Sequence, residues 1–473
     1  MICGLANSLW LAGCLPELAR FRRATTHVRE EQEKILFRFL RGESDFAKQH
    51  DFSSIKTIRD YQQAVPLRRY EDFQPWIDRI AAGEKNVLTP ERVDLFEPTS
   101  GSSGATKLIP YTASLQREFQ RGIRAWIADL FLHDPQLMLG PAYWSVSPPV
   151  ARRKTDGGIP IGFDDDSAYV GGWQRRLVQK VTVKTPTSDV RLISIWNPTF
   201  LSLQADRLPA LPNLRVISCW TDANAAAPAT HLAKLFPHAK IQGKGLIATE
   251  GFISFPMNGH EGTALAIRSH FLEFIPLGSE TALLADELDA GQQYAVVITT
   301  GGGLYRYQLD DVIEVAGRIG QCPLIRFVGR QGLVSDWFGE KLNEAFVAGV
   351  LRESLRNAPS FAMLACDTDI PAYVLYIDGD IPDEAAEDID TRLRRAFHYD
   401  YARFLGQLQP LRICRVERGA EAYQQFCIRS GQQAGDIKPL ALDRRNGWSR
   451  VFAKCDTNLS CRTTSSRKST SDA

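Results

Sequence analysis

Three short stretches carry residue types whose spacing can do chemistry. The first reads Pro98-Thr99-Ser100-Gly101-Ser102-Ser103-Gly104-Ala105-Thr106-Lys107-Leu108-Ile109-Pro110. Its glycines let the backbone turn tightly and approach a ligand, its hydroxyls can donate to phosphate oxygens, and Lys107 adds a cation. That is the make-up of a phosphate cradle. It is not a Walker A loop, because the glycine directly before the Lys is missing and no Ser or Thr follows it. A flexible Ser/Gly linker has a similar composition, but linkers seldom run from a Lys straight into extended Leu-Ile-Pro text.

The second stretch is Ala248-Thr249-Glu250-Gly251, where a β-rich run ends in a loop, the place at which α/β sheets present ligands. Glu250 suits a hard cation such as Mg2+, and a merely solvated loop carboxylate is the plain alternative. The third is Thr299-Thr300-Gly301-Gly302-Gly303-Leu304-Tyr305-Arg306-Tyr307-Gln308-Leu309-Asp310-Asp311-Val312. A carboxylate at a turn between strands can accept both hydroxyls of a ribose, and Asp311 is the candidate. Tight turns also favour Asp for its own sake.

These stretches need elements to hold them. Thr112 can cap a helix whose apolar positions Leu115, Phe119, Ile123, Trp126 and Leu130 recur at helical spacing, a face read as core packing. β-rich runs over 190–196, 214–220 and 240–248 alternate with helical text near 199–206 and 228–235, which predicts a βαβ-type sheet with helices on its faces. From Tyr294 onward, runs over 295–300, 304–307 and 312–315 read as short hairpin strands punctuated by the three glycines and by Asp310-Asp311. Upstream, 16–41 predicts one helix. After Trp337, a helix over 341–356, a strand over 372–378, a long helix over 383–405 and a strand over 411–417 predict a compact α+β unit. The expected organisation is a large domain over 1–337 and a small one over 338–455. A Ser/Thr/Lys/Arg-rich tail over 456–473, with almost nothing apolar, is expected to be disordered.

At 473 residues the chain exceeds what one core usually organises. Lys plus Arg number 56 against 55 Asp plus Glu, so no summed charge argues for nucleic acid or a membrane surface as partner. The nine cysteines are scattered and show no CxxC or Cys/His spacing, which argues against a structural zinc site and for reduced cytoplasmic thiols. The apolar run over 2–18 lacks the basic flank of a signal peptide and is shorter than a membrane span. Within it Leu11-Ala12-Gly13-Cys14 is similar to a bacterial lipobox, but no Lys or Arg precedes it, and a helix packed on the body is expected.

Taken in order, the three stretches closely resemble the auxin-responsive acyl acid amido synthetase family. That family is a branch of the adenylate-forming superfamily of acyl-CoA synthetases, peptide-synthetase adenylation domains and luciferase. The first stretch is similar to the superfamily's Ser/Thr/Gly phosphate loop, the second to its Thr-Glu motif, and the third to the family's Gly-Leu-Tyr-Arg-Tyr hairpin ending in the ribose aspartate. The likeness runs from about Trp10 to Leu442 and takes in Val65-Pro66-Leu67 with Tyr70-Glu71-Asp72. Phe327-Val328-Gly329-Arg330 resembles the Gly-Arg before the hinge, and Glu340-Lys341-Leu342-Asn343-Glu344 the hinge itself. Gly435-Asp436-Ile437-Lys438-Pro439 is similar to the stretch bearing the mobile-domain lysine.

The resemblance implies that Ser102, Ser103, Thr106 and Lys341 contact ATP phosphates, that Glu250 sits near Mg2+, and that Asp311 takes the ribose. It also implies that Thr249, Tyr305 and Arg330 lie near the nucleotide, with Lys438, Lys107 and Glu250 catalytic. One departure stands beside the ribose aspartate: Asp310 occupies a position where the family usually has glycine, adding a negative charge there unless it points away. The chain is also shorter than plant members, and its text after Leu442 does not match theirs.

The implied architecture is α/β: a large N-terminal α/β domain with a β-barrel-like portion, plus a small mobile α+β C-terminal domain. The implied reaction has two steps. A carboxylic acid attacks the α-phosphate of ATP while Mg2+, Lys107 and Lys438 oppose the developing charge, and pyrophosphate leaves. An amine, by family analogy an amino acid, then attacks the acyl carbon and AMP departs. No Ser-His-Asp grouping is readable among the eight histidines, and an acyl-adenylate makes a covalent enzyme intermediate unnecessary. The protein is expected to be a cytoplasmic monomer with no nucleic acid or membrane partner. Two alternatives stay open, an acyl-CoA ligase that differs only in the acceptor and a nucleotide-binding homologue without turnover.

Overall fold

In the apolar N-terminal text Trp10, Cys14, Leu18 and Phe21 recur every three or four positions and are buried along the helix Ile2–Ala24, while Leu5, Leu9 and Leu15 stay exposed. Cys14 of the lipobox-like run therefore lies in the core. The computed structural model describes residues 2–99, 107–144, 153–163, 172–331, 334–355, 359–367, 369–382, 385–432, 437–438 and 440–453. Ser102, Ser103 and Thr106, the Gly435-Asp436 pair, Pro439 and the 456–473 tail lie outside the described residues. Among those described, no helix is long and apolar enough to cross a membrane.

The single helix predicted over 16–41 is two, Ile2–Ala24 and Val28–Phe39. The Thr25 and Thr26 hydroxyls donate back to the carbonyls of Arg22 and Arg23, while the Thr25 carbonyl turns out to accept from Gln321 N at 2.7 Å. A threonine pair that bonds its own backbone competes with helix continuation.

The chain divides into two units, Met1–Gly332 with Cys427–Pro439, and Leu333–Phe426 with Leu440–Ala473. The sequence reading put one crossing at 337/338; the chain instead crosses at 332/333, and 427–439, including Lys438, returns to the first unit.

The first unit contains a five-stranded parallel sheet in the order Thr182–Val183, Ala142–Trp144, Leu192–Ser194, Val216–Cys219, Lys240–Gly243. Helices Pro198–Ser202 and Ala226–Leu235 lie between its strands in the chain. Val216, Ile217, Ser218 and Cys219 are all buried, the continuous burial of a parallel strand covered on both faces. A seven-stranded antiparallel sheet follows, in the order Ser254–Pro256, Thr263–Leu265, Cys322–Arg330, Tyr307–Ile319, Gln293–Thr299, Phe271–Pro276, Leu283–Leu284. Ladder irregularities between Val312 and Ile313, and between Val315 and Gly317, add local twist.

In this sheet the turn predicted at Asp310-Asp311 is instead an irregularity inside one long strand, Tyr307–Ile319. Asp310 adopts a left-handed φ of 61°, its carbonyl accepts from Gln331 N, and Asp311 resumes the ladder opposite Arg330. A third sheet pairs Val93–Pro98 with Leu108–Thr112, so the phosphate-cradle stretch connects two antiparallel strands, closed at its base by Thr99 N donating to Lys107 O.

The second unit builds a four-stranded mixed sheet in the order Gln409–Arg415, Ala372–Asp378, Phe361–Asp367, Leu442–Asp443. Helices Glu344–Ser354 and Ala385–Leu393 pack against it and bury Val347, Leu351, Ile389 and Leu393. The long helix predicted over 383–405 is broken into Ala385–Leu393 and Phe397–Phe404. Nine residues of continuous helix would put Asp390 and Tyr399 on opposite faces. The break lets the Tyr399 hydroxyl reach Asp390 Oδ1 at 2.7 Å, where the buried carboxylate also takes Arg403 and Leu411 N.

Candidate active site

Pairing register sets the first half of the site. Asp311 and Arg330 are direct partners across neighbouring strands, and Arg330 Nε donates to Asp311 Oδ1 at 2.6 Å. Asp311 is 1% exposed, yet its Oδ2 has no hydrogen-bond partner among the described residues. A buried carboxylate oxygen without a donor is costly, so an orphan at this place marks a position where a ligand donor fits.

Four residues earlier on the same strand, the Tyr307 hydroxyl donates to Glu250 Oε1 at 3.1 Å. Burial, with the Glu250 charge beside it, pushes the Tyr307 phenol far up and keeps it protonated as a donor. Thr249 and Glu250 form the two-residue turn of a small hairpin, in which Ile247–Ala248 pairs with Gly251–Phe252. Tyr111 OH donates to the Thr249 carbonyl at 2.7 Å and fixes the other side of the turn. The structure thus brings Thr249, Glu250, Asp311 and Arg330 into one neighbourhood through Tyr307, whose hydroxyl the sequence did not single out.

Lys107 leaves the cradle stretch with its Nζ 5.3 Å from the Tyr70 ring centroid. Tyr70 itself clasps Leu108, accepting from its N at 2.8 Å. Lys107 also acts on Asp310, whose carboxyl burial raises while Arg69 and Lys107 pull it back down. Lys438 Nζ lies 5.7 Å over the Trp220 ring, and Asn197 Nδ2 holds the neighbouring Ile437 carbonyl at 2.8 Å. In the second unit, Lys341 is exposed and held at a left-handed φ of 45°, directly after Glu340. Glu340 is fully buried and accepts from Trp337 N, Phe338 N and the Tyr373 hydroxyl.

Two members of the Gly-Leu-Tyr-Arg-Tyr hairpin face the core. Tyr305 is 3% exposed and stacks on Phe46, with centroids 4.9 Å apart. Arg306 pairs with buried Glu273 and donates to the carbonyls of Gln62 and Val65 at 2.8 Å each, fastening the Val65-Pro66-Leu67 segment.

A further pair went unread in the sequence. Glu118, on the helix Ala113–His133 that Thr112 caps, accepts from Gly301 N at 3.1 Å on both oxygens and meets His270 Nδ1 at 2.8 Å. His270 Nε2 accepts from Phe252 N at 2.8 Å, so the ring is neutral with its proton on Nδ1. One signal was available: Glu118 lies on the buried stripe between Leu115 and Gly122, where a charge needs a partner.

Models of the GH3 family N-terminal, central and C-terminal domains match residues 17–194, 263–330 and 348–445. A protein of Oryza sativa subsp. japonica named indole-3-acetic acid-amido synthetase GH3.10 is 23% identical over 455 residues, covering 78% of this chain and 94% of that one. The indole-3-acetic acid-amido synthetase GH3.17 of Arabidopsis thaliana is 29% identical over 174 residues, 32% of this chain and 29% of that one. Among solved structures, the AtGH3.15 acyl acid amido synthetase in complex with 2,4-DB has a similar fold, with a TM-score of 0.77 at 17% identity over 94% of this chain and 96% of that one. With the three domain matches running in order over more than half of its length, the chain belongs to the GH3 family.

Proposed function

We propose that this chain is an ATP-dependent acid–amino acid ligase, which activates a carboxylic acid as its acyl-adenylate and passes the acyl group to an amino acid. The observation that carries the reading is the buried, donor-less Oδ2 of Asp311, held by Arg330 and joined through Tyr307 to Glu250. A ribose hydroxyl supplies the missing donor. The relatives named as indole-3-acetic acid-amido synthetases point the same way, to an amide-forming ligase.

Glu250 fits an Mg2+ ion as a lone carboxylate. Magnesium is commonly held by one or two carboxylates together with substrate phosphates, and no cluster of three ligating side chains stands among the described residues. When bound, the ion offsets phosphate charge. Tyr307 orients Glu250 for it; Lys107 and Lys438 add positive charge where the α-phosphate is attacked; Ser102, Ser103 and Thr106 are the proposed further phosphate contacts. Positioning and electrostatics then carry the rate, with no enzyme nucleophile.

The test is exchange of labelled pyrophosphate into ATP by the purified chain with Mg2+, ATP and a panel of aromatic and aliphatic acids, repeated with single amino acids and with coenzyme A. Acid-dependent exchange and an amide product are expected. A thioester product would move the chain to the acyl-CoA ligases, and a folded, ATP-binding protein without exchange would end the ligase reading.

A further inference from the structure

The buried pair Glu118–His270 lies outside all three chemistry-bearing stretches, yet each stretch is fastened to it or to its helix. Thr112, at the end of the strand leaving the phosphate-cradle stretch, caps the Glu118 helix by accepting from Leu115 N, and its hydroxyl donates to Gly301 O at 2.9 Å. Gly301 N lands on Glu118, and Phe252 N, two residues past Glu250, lands on His270. The Gly301 end leaves no room for a side chain, and the Gly251 end is tight. A Cβ on Gly301 would stand 2.3 Å from Glu118 Oε1, and one on Gly251 would stand 3.0 Å from His270 Nε2. Glu118 is 1% exposed and His270 0%, so water does not substitute for either contact.

We infer that Glu118 and His270 are positioning residues, which lock the Gly301–Gly303 turn to the Thr249–Glu250 hairpin and thereby fix Glu250 relative to the strand that carries Asp311. The catalytic part of this inference rests on the proposed ligase activity; the structural part does not. The imidazole does what neither a carboxylate nor an amine can do here: it donates at Nδ1 toward Glu118 and accepts at Nε2 from a backbone amide. Its two arms are separable by isosteres. Asparagine keeps a donor near the Nδ1 position but is too short to reach Phe252 N. Glutamine reaches Phe252 N with its carbonyl oxygen and loses the donor to Glu118.

The experiment compares His270→Asn, His270→Gln and the milder Glu118→Gln in the full chain, reading amide hydrogen exchange and the kinetics of pyrophosphate exchange. In His270→Asn, the Phe252 amide should exchange about tenfold faster while Gly301 stays protected; in His270→Gln the pattern should reverse. Both should raise the KM for Mg·ATP about tenfold and leave the KM for the acid within about twofold. Glu118→Gln should give the Gly301 effect alone and decides the matter if the histidine variants do not fold. Unchanged exchange at both amides, or equal acceleration across the whole antiparallel sheet, would overturn the inference and leave the pair as ordinary packing. If the wild type shows no pyrophosphate exchange, the ligase reading falls, and the split between the two amides still decides the structural lock.

Discussion

Arg69 Nη1 stands 3.0 Å from Asp310 Oδ1, an ion pair formed beside Asp311, the carboxylate proposed to take the ribose. Asp310 takes a left-handed backbone at φ 61°, which glycine adopts freely and which other residues adopt at some cost. A glycine at this position would have a backbone reason, and in this chain Arg69 pairs with the added charge while the Asp311 carboxylate still acts on it.

Asp310→Gly should accordingly be mild. It relieves a left-handed residue, worth about 1 kcal/mol, and loses a half-exposed ion pair worth about 0–1 kcal/mol, so stability should move by less than about 1 kcal/mol. The KM for ATP should stay within about threefold. A large fall in that KM would show that the Asp310 charge reaches the nucleotide after all.

Asp310→Asn has a pH signature. Burial raises the Asp310 carboxyl above its ordinary value, so the folded chain takes up this proton at a higher pH than the unfolded chain. A raised carboxyl destabilises the fold above its folded pKa, and the penalty disappears as pH falls toward the usual carboxylate range, about pH 4. Urea midpoints of wild type and variant, compared at pH 7 and at successively lower pH, should shift in favour of the wild type on acidification. A constant difference would refute the shift.

Asp311→Ala should impair ATP use by about 1.5–3 kcal/mol, the size of hydrogen bonds to a charged acceptor. Both half-reactions should suffer, because the ribose stays bound as AMP. Unchanged ATP dependence of pyrophosphate exchange, or unchanged conversion of supplied acyl-adenylate, would place the ribose elsewhere.

Arg306→Ala tests the architecture. It leaves Glu273 charged and 1% exposed and strips donors from the Gln62 and Val65 carbonyls, a loss on the order of 3–5 kcal/mol in denaturant unfolding. Arg306→Met combined with Glu273→Leu should recover much of it. A single-variant loss below about 1 kcal/mol would mean that water reaches Glu273.

Lys438→Ala separates the two chemical steps. A cation aimed at charge developing on the α-phosphate is worth about a hundredfold to a thousandfold in rate, so pyrophosphate exchange should fall by that order with ATP binding nearly intact. Conversion of supplied acyl-adenylate to amide should continue at close to the normal rate. Equal loss in both steps would indicate a fixed role in holding the site, and no loss in either would remove Lys438 from the mechanism.

Local chemistry was legible in the sequence and long-range geometry was not. Thr112 announced its helix because capping and the Leu115–Phe119–Trp126 stripe act within a few turns. Three of the five parallel strands, Leu192–Ser194, Val216–Cys219 and Lys240–Gly243, fall inside the β-rich runs read over 190–196, 214–220 and 240–248, whereas Ala142–Trp144 and Thr182–Val183 were too short to read. What stayed hidden depends on partners far along the chain. Asp310-Asp311 looked like a turn because local propensity knows nothing of the register that puts Arg330 opposite Asp311. Tyr305 and Arg306 belonged to a family motif, but their side chains serve Phe46 and Glu273, and only tertiary packing tells a motif's ligand-facing residues from its structural ones. Glu118 and His270 lie 152 positions apart and have no spacing to recognise.

The return of Cys427–Pro439 to the first unit also sets an order of assembly on the ribosome. Synthesis runs through the whole of Leu333–Phe426 before it supplies the segment whose Ile437 carbonyl meets Asn197 and whose Lys438 lies over Trp220. The contacts of Gln32 with Ile267 and His270, and of Tyr61 with Thr299, likewise wait until more than half of the chain has emerged. Local helices can form early, but the first unit is completed only when Cys427–Pro439 has been made, after the whole of Leu333–Phe426. A nascent chain stopped between Asp311 and Ile437 thus carries the cradle stretch and the proposed ribose aspartate without the lysine proposed to work with them.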